Sequence, residues 1–402
     1  MQHEEPEETV VGIRYGELFL KSEPVKRRFI GILTDNIERA LKEKGISFWL
    51  EHPRGRIIVH GEDASAIAHI TARVFGVVDT GICLLTGTTS DELARSAINL
   101  AKKNLSPGMT FAVRAKREKK EGIPSPELAA FLGSEILREI PGLQVDLDHP
   151  SYELHVEVRG IGGLICDQRV PAPGGLPFGT QGIFLSLLSS GIDSPVAAWM
   201  MMKRGCVPHF LFLDAEIWSG VDVRGGAIEN FRRLSLWCPG HSLEMDIVPN
   251  KDLFQQMNDE KIPPRFRCVI CKRFMYRVAS AHAKQSAALA LVTGENLGQV
   301  ASQTLVNLAT ISEAATIPVL RPLITYDKRE IIDRARKIGT FPGQGGDLSC
   351  RAVPHKPSTG ANLGGIKTLE KDLDIPSLVR ECSERAQTLT ARDGRIIEEY
   401  PA

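Results

Sequence analysis

The chain of 402 residues contains no apolar run of about 18 residues or more, which excludes a helical membrane span. Its first residues, MQHEEPEETVVG, are acidic and lack the basic-then-apolar pattern of a secretory signal. No G-x-x-x-x-G-K-[ST] run occurs, so a Walker-type phosphate loop is excluded. Internal repeats and low-complexity segments are absent. Net charge is also absent: 49 Lys and Arg balance 49 Asp and Glu, which removes the simplest sign of a nucleic-acid binder. Cysteine is present but not dense. Eight in a chain of this size do not make a secreted disulfide scaffold, and with no signal peptide they point to a cytoplasmic protein that keeps thiols for metal or redox chemistry.

What is there is organised around residues 184–205, FLSLLSSGIDSPVAAWMMMKRG. A short apolar run fit for a buried parallel strand leads into Ser189-Ser190-Gly191-Ile192-Asp193-Ser194, and a helix-forming stretch follows to Gly205. A strand, a small-residue turn and a helix present backbone N–H groups and a positive helix end to phosphate. The hydroxyls of Ser189, Ser190 and Ser194 add donors, and Asp193 is placed to hold Mg²⁺ beside the phosphates.

Ahead of this stretch the pattern is α+β. TVVGIRY (9–15) reads as a strand, and from Pro24 to Lys44 the residues Phe29, Ile32, Leu33, Ile37 and Leu41 share one helical face. Two strands flank the turn at Pro53-Arg54-Gly55. A second unit begins near Asp63, with a helix to Val74, a strand near 79–85, a helix over 90–103, the strand FAVRAKR (111–117), a helix over Ser125–Glu139, and the strand YELHVEVRG (152–160). VPAPGGLPFGTQG (170–182) reads as a linker. Beyond Gly205 strands and helices alternate, which implies a doubly wound parallel sheet with its ligand at the carboxyl ends of the strands. A last helix is expected over 375–389.

LSSGIDS resembles the SGGxDS signature of the PP-loop ATP pyrophosphatases, with Ser190 where that pattern has glycine. TGENLGQVASQTLVNL (293–308) and LRPLITYDKREIIDRARKIGT (320–340), together with GGLPFGTQG, resemble the tRNA 4-thiouridine synthetases of the ThiI type. GVVDTG, FAVRAKR and VDLDHPSYELHVEVRG resemble a THUMP domain. The resemblance implies an N-terminal ferredoxin-like domain (1–62), a THUMP RNA-binding domain (63–169), the linker 170–182 and a PP-loop catalytic domain (183–402). It implies ATP-dependent thiolation of tRNA uridine, at position 8, to 4-thiouridine. By residue matching it puts nucleotide contacts on Leu187, Leu188, Phe212, Leu213, Lys272, Gly294 and Gln303, in addition to the turn residues Ser189, Ser190, Gly191, Asp193 and Ser194. Lys272 suits the charge of an α-phosphate. A homodimer sharing one tRNA is implied as well.

Cys268-Val-Ile-Cys271 lies just before an expected helix, a geometry suited to one metal or one redox pair. Cys350 lies in a glycine-rich loop, GGDLSCRAVP, while Cys83, Cys166, Cys206 and Cys238 sit in apolar surroundings that suit packing. The family places a catalytic cysteine at the position of Cys350 in members that carry a C-terminal rhodanese domain, and the sequence given is expected to lack that domain. Cys268, Cys271 and Cys350 then resemble the trio that holds an iron–sulfur cluster in archaeal-type members. Three thiolates fit a [3Fe–4S] cluster, or a [4Fe–4S] cluster with one iron open to sulfide. The alternatives are zinc completed by His355 or Cys382, and a Cys268/Cys271 redox pair with a persulfide on Cys350. Sulfide or a cysteine desulfurase is the expected sulfur donor.

Basic residues cluster locally despite the neutral total. Lys21, Arg27 and Arg28 stand near the start, Arg114, Lys116, Arg117, Lys119 and Lys120 in the middle, and a third group runs from Lys261 to Arg277. Such clusters grip phosphate backbones, and they are expected to track tRNA by shape and phosphate, with the RNA-binding residues named in the first two. Two rivals remain open: the same chemistry on a different tRNA base, and a non-catalytic tRNA-binding protein with a relic PP-loop.

Overall fold

The fold is that of a computed structural model, which describes residues 8–18, 21–118, 122–215, 223–341 and 353–400. The chain divides at Leu176/Pro177 into two units. No described helix is long and apolar enough to cross a membrane.

The first unit runs β1 (Glu8–Tyr15), α1 (Glu23–Glu43), β2 (Trp49–Glu51), β3 (Ile57–His60), α2 (Ala64–Thr71), β4 (Val77–Thr86), α3 (Ser90–Asn104), β5 (Thr110–Arg117), α4 (Ser125–Glu139), β6 (Gln144–Val145), β7 (Tyr152–Arg159) and β8 (Gly162–Pro171). These strands form one eight-stranded sheet in the order β2-β3-β1-β4-β8-β7-β5-β6. The apolar stripe read on α1 is the buried one: Leu33, Ile37 and Leu41 pack with Ile67 of α2 on Val11, Ile13, Ile57 and Val59. A second core gathers Leu93 and Ala97 of α3 and Leu128, Leu132 and Ile136 of α4 on Phe111, Leu154 and Val156. Each such Leu or Ile taken out of water contributes roughly 1.5–3 kcal/mol. Local signals start the helices. The Asp63 carboxylate accepts from Ala66 N–H, and Thr89 and Glu92 form a reciprocal capping box.

β4 pairs antiparallel with β8 and joins the two halves into one sheet. The sequence reading did not expect β8, whose last two residues it placed in the linker. β8 is the return strand of a hairpin that opens at Gly162 (φ +138), where a Cβ would lie 2.6 Å from the Thr86 carbonyl oxygen. The expectation of packing thiols is corrected at Cys83 and Cys166. They face each other across β4 and β8 with Cα atoms 4.2 Å apart and are joined as a disulfide.

The second unit runs β9 (Ile183–Leu187), α5 (Asp193–Lys203), β10 (Val207–Asp214), α6 (Val223–Ser235), β11 (Leu243–Pro249), α7 (Lys251–Asp259), α8 (Arg267–Gln285), β12 (Leu291–Val292), α9 (Leu305–Ser312), β13 (Val319–Leu320), α10 (Lys328–Ile338), α11 (Leu363–Glu370), α12 (Ile375–Glu384), β14 (Gln387–Arg392) and β15 (Arg395–Tyr400). Its sheet has the order β13-β12-β9-β10-β11-β14-β15. From β13 to β11 neighbours are parallel, as expected of a doubly wound α/β layer. Val269, Ile270, Phe274 and Val278 of α8 pack against Leu185, Leu187 and Leu211 in its core.

Two expectations change in this unit. The helix expected over 375–389 ends at Glu384, and Gln387 onward forms a hairpin that adds antiparallel to β11. The hairpin turns at Asp393-Gly394, both with positive φ (48° and 77°), the backbone a two-residue primed turn requires. Cys268 and Cys271 lie inside α8 and not before it, because the prolines at 263 and 264 start a 3₁₀ turn that runs straight into the helix.

Candidate active site

Successive strands leave β9 in one direction, to β10 and then β11, while β12 lies on its other side. This is a topological switch point, where α/β sheets open a crevice beyond the carboxyl ends of the strands. The turn from Leu188 to Ile192 occupies that position. Ser189 N–H donates to Ser194 Oγ (2.9 Å), the Ser189 and Ser194 hydroxyls share a hydrogen bond (2.8 Å), and Gly191 N–H donates to Ser189 Oγ (3.3 Å). Asn230 of α6, buried, donates its amide to the carbonyls of Ser189 and Gly191. The serines therefore shape the loop from within, and the turn leads directly into the N-terminus of α5, where helix geometry favours an anion. Asn230 was not singled out in the sequence. One signal for it was a polar residue on the side of α6 that also carries Ala227, Phe231 and Leu234.

Gly294, just past β12, is a glycine for a steric reason. A Cβ there would lie 2.5 Å from the backbone N of Ser194 and 2.7 Å from the carbonyl carbon of Asp193. The neighbours are backbone atoms of the first turn of α5 and have no side chain to move aside. Gly294→Ala is expected to push that turn away, costing about 1–3 kcal/mol of stability and weakening nucleotide binding at least about tenfold. Calorimetric melting and nucleotide titration check both effects, and unchanged binding would contradict the close-contact account.

Asp193 opens α5, and its carboxylate pairs with Lys328 Nζ at 3.0 and 3.2 Å. Lys328 begins α10, whose start is fixed by a capping box between Asp327 and Glu330. The pair is half-exposed, so it marks a position at the mouth of the crevice and contributes little to stability.

Behind this mouth lies a buried network around Glu295. Its Oε1 accepts from Lys272 Nζ (3.0 Å), and its Oε2 accepts from Tyr276 OH (2.6 Å), Arg321 Nε (2.8 Å) and Thr293 Oγ1 (3.2 Å). Burial alone would raise the carboxyl's pKa, but the Lys272 charge, the Tyr276 hydroxyl and the Arg321 guanidinium outweigh it and hold the group down at about 2. A depressed carboxyl contributes stability that is fully present above its unfolded pKa of about 4.3 and is lost as pH falls toward about 2. Glu295→Gln is therefore expected to flatten the acid limb of stability between those values. Urea midpoints measured across that range check it.

Four of the positions expected to contact nucleotide lie at the strand ends that border this crevice. Leu187 and Leu188 close β9, with Leu188 N–H on the Leu211 carbonyl, and Phe212 and Leu213 follow in β10. All four side chains are buried, which leaves their backbone at the strand ends. Gln303 ends a 3₁₀ turn, and its buried Oε1 has no hydrogen-bond partner. Cys268 and Cys271 are half-buried on one face of the first turns of α8, next to Lys272. Cys350 lies outside the described residues, and among the described residues no group of three His, Cys, Asp or Glu side chains is gathered for a metal.

The basic groups divide. Lys21, Arg27, Arg28 and Lys116 are exposed in the first unit. Arg114 is held by Glu153 and the Leu147 carbonyl, Arg117 is half-buried, and Lys119 and Lys120 lie outside the described residues. In the third group Lys261 and Arg265 are exposed, but two members are corrected as RNA contacts. Arg273 is fully buried on Glu370 and Glu313, and Arg277 pairs with Glu370. These arginines fasten α11 and the end of α9 to α8.

Comparison with known proteins bears on this geometry. Three family models match: the ThiI ferredoxin-like domain over residues 10–80, the THUMP domain over 87–165, and the thiamine biosynthesis protein ThiI over 179–375. A probable tRNA sulfurtransferase of Methanosarcina mazei is 38% identical, covering 96% of each chain. One of Moorella thermoacetica is 37% identical over 94% of this chain and 96% of its own. Among solved structures, a 4-thiouridine synthetase–RNA complex with bound ATP matches with a TM-score of 0.82 and 31% identity, covering 98% of this chain and all of the other. A Pyrococcus horikoshii protein shares the fold at a TM-score of 0.62 and 23% identity. The similarity spans the ferredoxin-like, THUMP and PP-loop parts alike, and the chain belongs to the ThiI family of tRNA sulfurtransferases.

Proposed function

We propose that this protein is an ATP-dependent tRNA sulfurtransferase that converts a uridine, at position 8, to 4-thiouridine. The observation that carries the reading is the serine-shaped turn at the switch point, closed by Gly294 against the first turn of α5, where Asp193 pairs with Lys328, with Lys272 held by Glu295, the residue after Gly294. That arrangement suits a nucleotide whose α-phosphate is to be attacked. The uracil O4 attacks the α-phosphorus, the bond to the β-phosphate oxygen breaks, and pyrophosphate leaves. Sulfide then attacks C4, and AMP departs with the former O4 as one of its phosphate oxygens. The proton of hydrosulfide is released to solvent.

The chain's own groups do three things in this scheme. The N–H groups of the start of α5 and those of the turn other than Ser189 and Gly191, with the Ser189, Ser190 and Ser194 hydroxyls, cradle the phosphates. Lys272 meets the charge that develops on the α-phosphate, while the backbone at Leu187, Leu188, Phe212 and Leu213 reads the adenine and Gln303 offers its unpaired amide oxygen. Asp193 fits as one carboxylate on a Mg²⁺ otherwise held by water and phosphate. The exposed Lys21, Arg27, Arg28 and Lys116 hold RNA phosphates, with Arg114, Arg117, Lys119 and Lys120 assigned to the same surface.

For sulfur delivery, Cys268 and Cys271 stand at i and i+3 on one helix face, a spacing that lets two thiolates share one cluster, with Cys350 as third ligand. These three thiols would hold an iron–sulfur cluster ([4Fe–4S] or [3Fe–4S]), and in the [4Fe–4S] form the iron without a protein ligand would offer a place for sulfide, with sulfide or a cysteine desulfurase as the source. A tRNA substrate accords with a cytoplasmic location, and a homodimer is part of the reading. The test is nucleotide chemistry: purified protein is expected to form AMP and pyrophosphate from ATP only when unmodified tRNA is added. ADP and phosphate as products would overturn the PP-loop assignment.

A further inference from the structure

We propose that Glu295 is a positioning residue for nucleotide binding. Its carboxylate fixes the Lys272 ammonium and the Arg321 guanidinium behind the Ser189–Ser194 turn, and so sets the cationic side of the α-phosphate site. The inference rests on the reading of this crevice as an ATP site.

The geometry assigns the two carboxylate oxygens different tasks. Oε2 takes three donors, from Tyr276, Arg321 and Thr293, and Arg321 is tied further to Ser312 Oγ (2.6 Å) and Tyr276 OH (3.3 Å). That side of the group is saturated. Oε1 accepts from Lys272 at 3.0 Å, and Glu295 is the one carboxylate within ion-pair distance of Lys272 among the described residues. An ammonium has three N–H donors and no acceptor, so one bond to Oε1 leaves two for phosphate oxygens. Glu295 is 5% exposed, whereas the Lys272 side chain keeps 25% of its surface open. An immobile anion thus holds a partly open cation on a long flexible stem, and the ordering entropy is spent before nucleotide arrives. One carboxylate against two cations leaves a net positive charge facing an anionic ligand. Glu295 follows Gly294 directly, so the anchor is linked to the backbone that touches the first turn of α5.

Glu295→Gln keeps the shape but replaces one acceptor oxygen with an NH₂, which then faces either Lys272 or the three donors on the far side. Titration with α,β-methylene-ATP is expected to show affinity weakened by about tenfold or more, the scale of a lost charge-assisted hydrogen bond. In a Lys272→Ala background the same substitution is expected to add less than about twofold, because Glu295 acts through Lys272. Glu295→Asp keeps the charge one methylene back, and affinity between wild type and E295Q is expected. It carries the test if E295Q does not fold. E295Q or E295D binding the analogue as wild type does, whatever the melting temperature, overturns the proposal. So do losses that multiply in the double variant, which would mark a structural role. A wild-type protein that fails to bind the analogue or to make AMP with tRNA sinks the ATP reading itself. A fully active wild type with an indifferent E295Q sinks only the positioning role.

Discussion

Asp193→Asn is expected to lower tRNA-dependent AMP formation by roughly two to three orders of magnitude, the scale of removing one preorganised electrostatic group from a phosphoryl-transfer site. Asparagine is nearly isosteric and tolerated at the start of a helix, so α5 should form unchanged. What is lost is the negative charge that holds Lys328 at 3.0 Å and that is assigned to Mg²⁺. Lys328→Ala is expected to fall in the same range. If the two residues act as one unit, the double variant will be little worse than either single one, because each substitution already breaks the unit. AMP release followed by chromatography checks all three, with circular dichroism confirming the fold. An Asp193→Asn enzyme within a few-fold of wild type would remove this carboxylate from the mechanism.

The second large effect concerns the cysteines, and it is an uncoupling. Cys268→Ala and Cys271→Ala are expected to abolish 4-thiouridine formation, by at least about a hundredfold, while ATP binding stays close to wild type. The reason is positional: both thiols stand on the first turns of α8, whereas most phosphate-facing groups belong to the turn after β9 and to Gly294, and Lys272, the next residue of α8, keeps its ammonium on Glu295. Cys350→Ala is expected to behave likewise. Protein purified without oxygen should be brown, with absorption near about 400 nm and with iron and sulfide that each substitution removes. A colourless protein after anaerobic reconstitution would sink the cluster, and equal loss of ATP binding in the cysteine variants would argue that they act on folding.

Much of this site was legible because its parts are local in sequence. The Ser189–Ser194 turn needs only a strand before it and a helix after it, and both follow from short-range apolar pattern. Gly294 was placed by motif matching, but its reason, a 2.5 Å approach to Ser194 N, belongs to two segments a hundred residues apart. The same limit hid Glu295 and Asn230, whose partners come from other elements. It also misled the reading of Arg273. On the sequence it is one of a run of basic residues, and only the packing of α11 buries it on Glu370. The Cys83–Cys166 pairing needed the β4–β8 register, which rests on a strand that was not expected. The terminal hairpin is different, since Asp393-Gly394 is a local turn signal in the sequence, lying just beyond the helix expected over 375–389. The prolines at 263 and 264, which start the turn leading into α8, are a second signal of that kind.

The most direct test of the central claim is to incubate the purified protein with ATP, Mg²⁺, sulfide and an unmodified tRNA transcript, then digest the RNA and identify its nucleosides by mass spectrometry. The account predicts 4-thiouridine mapping to position 8, formed together with AMP and absent with Asp193→Asn. AMP formation without any thionucleoside, or a thionucleoside other than 4-thiouridine, would contradict it.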